Sequence, residues 1–145
     1  MLEYQVKAKR LNQHGSLAQC KQAEITLDTD LNGRDDAFNP AELLLGALSA
    51  CMIKNIERVC PIIHFNLTGV AIRLTGYRQD SPPKMQRIDY EIIVDSHENQ
   101  RKLDLLHTNI KKYGTVYNTL AIGCELTGTL RQRVGWVNAP GENAW

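Results

Sequence analysis

The chain has 145 residues and a mass of 16.4 kDa, which fits one domain, and its 43% of hydrophobic residues argue against disorder. Lys and Arg number 17 and Asp and Glu 16, so a net charge of +1 gives no electrostatic attraction to nucleic acid or to an acidic membrane. The longest apolar run, Leu43 to Ile53, is about half of the ~20 residues that a membrane span requires. The N-terminal sequence lacks the apolar segment of a secretory signal. We therefore expect a cytoplasmic protein without a membrane or nucleic-acid partner.

The first 30 residues predict β-strands. Apolar and polar residues alternate at the start of this region and again before residue 28, and the polar cluster 12–16 predicts a turn between the two runs. The first run includes Tyr4 and Val6. The polar, glycine-containing segment 28–38 predicts a loop.

A long helix is predicted next, over about residues 40–59. Asn39 is suited to cap it, Pro40 to occupy the first helical position, and Glu42 to complete a capping box. Pro61 is expected to stop the helix. Because its first half is apolar nearly all round, we expect it to be buried on several sides, as a central helix.

The rest of the sequence predicts, in order, a β-hairpin over 67–95, a helix over about 97–113, a final strand over 121–131 and an irregular tail. Ser96 is the expected cap of the second helix, and Gly114 is expected to end it. This order predicts a single α+β domain over 1–145, with antiparallel sheets packed around the central helix.

The cysteines show no spacing typical of a metal site or a redox motif; they are Cys20, Cys51, Cys60 and Cys124. Cys60 lies four residues before His64, but the intervening proline breaks any helix that would align them, and no third ligand is near in sequence. His107, which follows an apolar residue on a predicted helix, is interpreted as a surface residue or a hydrogen-bonded core residue. We predict no metal and no cofactor.

Cys51 is the candidate for thiol chemistry, because it is the cysteine that lies inside the predicted central helix and well away from its ends. On a helix Cys51 shares its face with Leu44, Ala47, Leu48 and Asn55. These neighbours are compatible with two interpretations, a cysteine packed in the core and a thiol at the floor of an apolar pocket. Spacing by itself favours the core cysteine.

Two segments resemble the motifs of one protein family. Residues 38–52, F-N-P-A-E-L-L-L-G-A-L-S-A-C-M, resemble the cysteine-bearing helix of the OsmC/Ohr family (osmotically inducible protein C and organic hydroperoxide resistance proteins). The pattern of that helix is N-P-E-x-L, then small or apolar residues, then the cysteine. Residues 113–120, Y-G-T-V-Y-N-T-L, resemble the second motif, which reads Y-C-x-V or C-P-V-S-N-T-L. The order of the elements agrees as well, so the resemblance covers nearly the whole chain.

The resemblance implies an OsmC-like fold and an intertwined homodimer with the central helices near the interface. In the peroxidase members of this family a thiolate attacks a hydroperoxide and becomes a sulfenic acid, a second cysteine closes a disulfide, and an external dithiol reduces it. An arginine held by a glutamate activates the thiolate in those proteins. The implied function is a redox and stress-response role, with Cys51 as the peroxidatic thiol.

Three positions depart from the family pattern. Gly114 occupies the position of the second cysteine, and Ala41 occupies the position of the glutamate. Gln13 occupies the position of the arginine when the two hairpin turns are matched, and Arg10 and Arg34 are the alternatives for that role. The resolving thiol and the activating pair of the family are therefore both missing at the matched positions.

The sequence leaves open whether another cysteine of the chain forms a disulfide with oxidised Cys51. Cys60 lies about 13.5 Å along the same predicted helix, beyond the ~7 Å between Cα atoms that a disulfide allows. Cys20 and Cys124 remain candidates, although the apolar alternation around Cys124 favours core packing. Two functions are thus kept: thiol-dependent reduction of organic hydroperoxides through Cys51 with an external thiol as reductant, or non-peroxidatic binding of an apolar small molecule at the dimer interface.

Overall fold

The computed structural model describes residues 1–139, 141 and 143–145, which divide into two compact units, Met1–Leu44 and Leu45–Trp145. The described residues form two three-stranded sheets and three helices, which confirms the expected α+β class. No helix in this part of the chain is long and apolar enough to cross a membrane.

The first unit contains an antiparallel sheet of three short strands in sequential order. They are β1 (Lys7–Asn12), β2 (Gly15–Cys20) and β3 (Ala23–Asp28). The turn predicted around residues 12–16 joins β1 to β2. Tyr4 and Val6, which were expected within the first strand, precede it and are exposed. Alternation alone thus predicted a longer strand than the pairing with β2 supports.

The polar loop after β3 is organised by its own carboxylates. The buried Asp28 accepts backbone hydrogen bonds from Asp30 at 3.0 Å and from Arg34 at 3.1 Å. Asp30 is also bonded to the ring of His14 at 2.6 Å. The Arg34 guanidinium forms an ion pair with Asp36 at 2.6 Å.

Helix α1 (Pro40–Ile62) begins with the predicted capping box. The Asn39 side chain accepts the backbone N–H of Glu42 at 2.8 Å, and the Glu42 carboxylate accepts the backbone N–H of Asn39 at 3.0 Å. Two donors that the first turn would leave unpaired are therefore satisfied.

The end of α1 differs from the prediction, because Pro61 lies inside the last turn and does not stop the helix near residue 59. A proline removes one N–H donor, and the next turn still closes, since the Ile63 N–H donates to the Val59 carbonyl at 3.1 Å. The expected burial on several sides is not seen within one chain. One face of α1 is buried, including Leu48 and Met52, while Ala47 and Ala50 on another face are exposed.

The second unit contains the larger sheet, in the order β4 (Gly69–Asp80), β5 (Pro83–Asp95) and β6 (Glu125–Gln132). The hairpin β4–β5 is antiparallel as predicted, whereas β6 pairs with β5 in parallel, which corrects the expectation of antiparallel sheets throughout. Parallel pairing requires a crossover connection. That crossover is made by α2 (Gln100–Tyr113) and a short helix that was not predicted, α3 (Thr115–Ala121).

Helix α2 begins at a cap other than the predicted Ser96, and it ends at Gly114 without the left-handed conformation that favours glycine. Asn99 is the N-cap, and its side chain accepts the Lys102 N–H at 3.0 Å. Ser96 instead hydrogen-bonds to Gln132 on β6. Gly114 ends α2 as predicted, but with φ −76° and ψ 122°, which are backbone angles open to any residue. It also serves as the N-cap residue of α3.

The hydrophobic core of the second unit is formed by α1, the inner face of the sheet and the crossover helices. Its buried residues are Leu48, Met52, Ile56, Val59, Cys60, Phe65, Ile88, Tyr90, Ile92, Val94, Leu103, Leu106, Ile110 and Tyr117.

The segment after β6 has no regular strand or helix in the residues that are described, as expected for the tail. It is fixed to the sheet by the buried Asp95, whose carboxylate accepts the N–H groups of Gly135 at 2.7 Å and Val137 at 2.9 Å. These backbone donors hold the pKa of Asp95 below its usual value. Pro140 and Glu142, which belong to the predicted tail, lie outside the described residues.

Candidate functional site

Cys51 lies in the middle of α1 and is half-buried. Its sulfur lies close to the backbone of Gly114, because a Cβ atom placed on Gly114 would be 3.1 Å from the Cys51 Sγ. The fold therefore brings together the two positions that correspond to the cysteines of the family motifs. In this chain only one of them carries a thiol.

The space beside Gly114 is narrow. A Cβ atom there would also lie 3.0 Å from the Cβ of Tyr117 and 3.4 Å from the Ile110 carbonyl oxygen. Because the backbone angles of Gly114 suit any residue, crowding and not backbone strain is the obstacle to a side chain here. A shift of a few tenths of an ångström by its neighbours would relieve that crowding.

The four residues predicted to share the face of Cys51 differ in burial. Leu48 and Asn55 are buried at 0% and 2% exposure, Leu44 is half-buried, and Ala47 is exposed. Part of this face therefore belongs to the core of the second unit. An apolar pocket along it stays a prediction.

Asn55 is a polar residue within this core. Its amide nitrogen donates to the Asn109 carbonyl at 3.1 Å, which ties α1 to α2. Its Oδ1 atom is buried and accepts no hydrogen bond within the described part of the chain. The amide nitrogen of Asn55 therefore has a hydrogen-bond partner, and its side-chain oxygen has none among the described residues.

All four cysteines are free thiols, and they differ in environment. Burial raises the pKa of the Cys60 thiol to about 11, so at neutral pH Cys60 is a protonated core residue. Burial also raises the pKa of Cys124, against the opposing effect of Lys84. Cys20 is half-buried on β2 in the first unit. Resolution by Cys20 or Cys124 stays a prediction.

The residues considered for activation of the thiol lie in the first unit. Arg34 is engaged by Asp36, and Arg10 and Gln13 are exposed on β1 and in the following turn. Ala41, in the first turn of α1, is exposed and has no polar side-chain atom. Glu42 beside it is used in the capping box. An activating role for either arginine stays a prediction.

Sequence reasoning missed a cluster of three rings, Tyr90, His107 and Tyr117, in the second unit. The hydroxyl of Tyr90 on β5 lies 2.7 Å from Nε2 of His107 on α2, and their rings meet edge to face with centroids 5.7 Å apart. Tyr117 on α3 is buried in the same core and contributes to the raised pKa of Tyr90. His107, expected to be a surface residue or a hydrogen-bonded core residue, is half-buried and hydrogen-bonded to Tyr90.

Burial shifts all three groups of this cluster toward their neutral forms. It lowers the pKa of His107, with a smaller contribution from Lys111, and it raises the pKa values of Tyr90 and Tyr117. One signal in the sequence could have drawn attention to the cluster. Tyr117 stands where the motif C-P-V-S-N-T-L has serine.

The described residues bring no three His, Cys, Asp or Glu side chains into an arrangement that could hold a metal ion.

The fold is similar to several solved structures. An OsmC-like protein from Mycoplasma pneumoniae has a TM-score of 0.83 at 19% identity, over 92% of this chain and 99% of that one. An organic hydroperoxide resistance protein OsmC from Legionella pneumophila has a TM-score of 0.70 at 17% identity, over 92% and 100%. The organic hydroperoxide resistance protein OhrB of Bacillus subtilis has a TM-score of 0.64 at 12% identity, over 89% and 98%. At these identities the likeness establishes the fold.

A search among curated proteins gives no significant match. A family model described as OsmC-like protein matches residues 33–128, which include α1, Cys51, Gly114 and the crossover helices. That match covers more than half of the chain. Together with the fold, it shows that this chain belongs to the OsmC-like protein family.

Proposed function

We propose that this protein is a thiol-dependent redox protein that reduces organic hydroperoxides through Cys51, with an external thiol completing the cycle. Family membership and the likeness to organic hydroperoxide resistance proteins support a redox role in stress response. The reductant is expected to be a thiol of the cytoplasm.

One observation carries the proposal: Cys51 is half-buried at mid-helix, and its sulfur faces Gly114, the position matched to the second family cysteine. Cys51 keeps the position of the first family cysteine, although the second family cysteine is replaced by Gly114. Cys60, in contrast, is 6% exposed and has a raised pKa, so it is poorly suited to attack a peroxide.

The chemistry balances with an external thiol alone. The Cys51 thiolate attacks the terminal peroxide oxygen, so that an S–O bond forms as the O–O bond breaks and Cys51 becomes a sulfenic acid. The alkoxide takes up the proton that the thiol released and leaves as the alcohol. A first external thiol then forms a mixed disulfide with Cys51 and releases water. A second thiol, or the second sulfur of a dithiol, attacks that disulfide, restores Cys51 and leaves as the external disulfide.

The test is consumption of cumene hydroperoxide with dithiothreitol or dihydrolipoamide as the reductant. We expect turnover by the native chain, loss to the uncatalysed background in Cys51→Ser, and retention in the matched variants Cys20→Ser and Cys124→Ser. The proposal is overturned if the native chain shows no turnover with either dithiol, or if Cys51→Ser retains it.

The second candidate is binding of an apolar small molecule without peroxide chemistry. The absence of a side chain at Gly114 and of a carboxylate at Ala41 favours this alternative, because both motif positions that support peroxidase chemistry have changed. Titration of Cys51→Ser with cumyl alcohol, the product of cumene hydroperoxide reduction, measures binding without turnover. Binding by this variant, together with no turnover by the native chain, would favour the second candidate.

We also propose that the protein acts as a homodimer. Apolar residues of the first unit are exposed in the single chain, among them Tyr4 at 79%, Val6 at 64% and Ile25 at 47%. In the second unit, Ala47 and Ala50 of α1 are uncovered beside Cys51. Exposed apolar residues of this kind, found in each unit by itself, support an interface with another copy of the chain.

A further inference from the structure

Asn55 carries an unpaired polar atom in the core of the second unit. The residue is 2% exposed, and its amide nitrogen donates to the Asn109 carbonyl at 3.1 Å. Its Oδ1 atom is buried as well and accepts no hydrogen bond from the described residues. A buried acceptor without a donor is unfavourable, because it has lost its hydrogen bonds to water. This oxygen can therefore receive a donor that the reduced chain does not supply.

Asn55 lies one helical turn after Cys51, on the same face of α1. At this spacing the Cβ atoms of two helical residues are about 5–6 Å apart. Helical side chains lean toward the N-terminus of their helix, so the Asn55 side chain lies over the turn that carries Cys51. The unpaired oxygen and the candidate thiol are therefore neighbours, although the thiol does not donate to this oxygen.

The end of α2 holds the Asn55 amide in one orientation. A backbone carbonyl only accepts, so the end of the amide that faces Asn109 must be the NH₂ group, and the other end is the oxygen. The same end of α2 meets Cys51, whose sulfur faces Gly114. Two successive turns of α1 thus present a thiol and a fixed acceptor to the last turn of α2.

Oxidation of Cys51 creates the donor that Asn55 lacks. A thiol is only a weak S–H donor, whereas a sulfenic acid has an O–H group. The oxygen of that group extends one bond length beyond the sulfur, so it reaches farther than the thiol does. The oxidant needs to reach only Cys51, which is half-buried, and Asn55 can stay in the core.

We propose that Asn55 is a positioning residue that accepts a hydrogen bond from the sulfenic acid of Cys51 through Oδ1 and thereby slows further oxidation of the sulfur. The inference rests on the proposed function in taking Cys51 as the thiol that peroxide oxidises. It gives the oxidised sulfur a partner in a chain where Gly114 cannot condense with it.

The slower step is the second oxidation. The deprotonated sulfenate attacks the terminal oxygen of a second peroxide molecule, a second S–O bond forms and the O–O bond breaks. The sulfur is oxidised to the sulfinate, and the alkoxide, or hydroxide from hydrogen peroxide, takes the proton of the transferred oxygen and leaves. A hydrogen bond from the neutral sulfenic acid to Asn55 keeps the proton on its oxygen and so lowers the amount of sulfenate.

The experiment compares two rates in one chain, the oxidation of Cys51 to sulfenic acid and the oxidation of that acid to sulfinic acid. Hydrogen peroxide is the oxidant, and mass spectrometry of the peptide that contains Cys51 follows both steps without interference from the other thiols. In Asn55→Leu the ratio of the second rate to the first should rise roughly fivefold to tenfold, the effect of one lost hydrogen bond. Loosened packing would instead raise both rates and leave their ratio unchanged.

Two variants provide the matched controls, and both should keep the native ratio. Asn55→Asp retains an oxygen acceptor, and its protonated carboxyl can still donate to the Asn109 carbonyl. Asn109→Leu removes a side-chain amide from the facing helix but leaves that carbonyl in place. A native ratio in Asn55→Leu overturns the inference. That result is expected if the Ile110 carbonyl, 3.4 Å from the Cβ position of Gly114, takes the hydrogen bond instead.

A further measurement uses the unmutated chain and does not depend on the folding of a variant. The ¹³C resonance of the Asn55 side-chain carbonyl should move downfield when one equivalent of hydrogen peroxide converts Cys51 to the sulfenic acid, because the oxygen then accepts a hydrogen bond. The side-chain carbonyl of Asn109 is the internal control and should not move. An unchanged Asn55 resonance overturns the inference.

These results separate the inference from the proposed function, since hydrogen peroxide oxidises a thiol without any catalytic cycle. The expected rise in the ratio, without turnover of cumene hydroperoxide, would overturn the proposed function and support the role of Asn55. Turnover with an unchanged ratio would do the reverse. If Cys51 forms no sulfenic acid, both are wrong.

Discussion

At the scale of single residues, the lack of a thiol at Gly114 determines which products oxidised Cys51 can form. The sulfur of Cys51 faces a glycine backbone, so no thiol at that position can condense with a sulfenic acid. We predict that one equivalent of cumene hydroperoxide leaves Cys51 as a sulfenic acid that dimedone traps, and that excess peroxide drives it to sulfinic acid. Intact-mass spectrometry and peptide mapping measure both products.

A loss of two daltons after one equivalent of peroxide would contradict this prediction. If the disulfide mapped to Cys51 with Cys20 or Cys124, the chain would carry a different resolving cysteine. Labelling of Cys60 before Cys51 would conflict with the raised pKa of Cys60.

Restoring a thiol at Gly114 should create the missing disulfide. A Cβ atom there would lie 3.1 Å from the Cys51 Sγ, close to the ~3 Å that separates these atoms across a disulfide. The φ of −76° imposes no backbone penalty, and the main cost is crowding against Tyr117. We expect oxidised Gly114→Cys to lose two daltons, mapped to residues 51 and 114.

The matched control is Thr115→Cys, which places a thiol on the next, exposed residue. It should show no disulfide with Cys51 under the same oxidation. Equal disulfide formation in both variants would mean that local mobility, and not the geometry at Gly114, determines the pairing.

The sequence predicted part of this site and missed part of it. The two motifs identified Cys51 and Gly114 as partners, and the structure places them in contact. The hydrogen bond of Tyr90 to His107 was not predicted, because it joins residues far apart in sequence on a strand and a helix. No periodicity encodes such a contact.

At the scale of elements, Gly128 shows how closely β6 approaches β5. Gly128 pairs with Tyr90, and a Cβ atom there would lie 2.3 Å from the Tyr90 carbonyl oxygen and 2.4 Å from its ring. We predict that Gly128→Ala lowers the free energy of unfolding by about 1–3 kcal/mol, because Tyr90 or the strand must move. Urea denaturation measures the change.

Gly123→Ala is the matched control, since a Cβ atom on Gly123 would meet nothing within 4 Å. Its effect on the free energy of unfolding should stay within about 0.5 kcal/mol. If Gly128→Ala had the same free energy of unfolding as the native chain, the prediction would be wrong, because β6 could then move away from Tyr90 without loss of stability.

Helix α3 and the direction of β6 show where sequence patterns were insufficient. The segment 115–121 is short and rich in β-branched residues, which have low helix propensity. It is helical because Val116, Tyr117 and Leu120 pack against the core, a tertiary effect. Apolar alternation predicted a closing strand near β6, but alternation is the same in both directions of a strand and does not distinguish parallel from antiparallel pairing.

At the scale of the whole molecule, the remaining question is what covers the apolar surface that one chain leaves exposed. In the first unit, Val6, Ala18 and Ile25 line a shallow apolar concavity of about 140 Å³. In the second, α1 buries one face and leaves Ala47 and Ala50 uncovered. The apolar character of α1 was evident from the sequence, whereas the extent of its burial by a single chain was not.

A second copy of the chain is the partner that we propose for this surface, and light scattering at micromolar concentration should give twice the chain mass of 16.4 kDa. Ile25→Glu places a charge in the apolar concavity and should shift the protein toward the monomer, because an unpaired charge is costly to bury. Thr26→Glu adds the same charge on the opposite face of the same strand and should leave the mass unchanged. A native mass near 16.4 kDa would contradict the dimer. Equal dissociation of both variants would indicate that net charge, and not the apolar face, controls assembly.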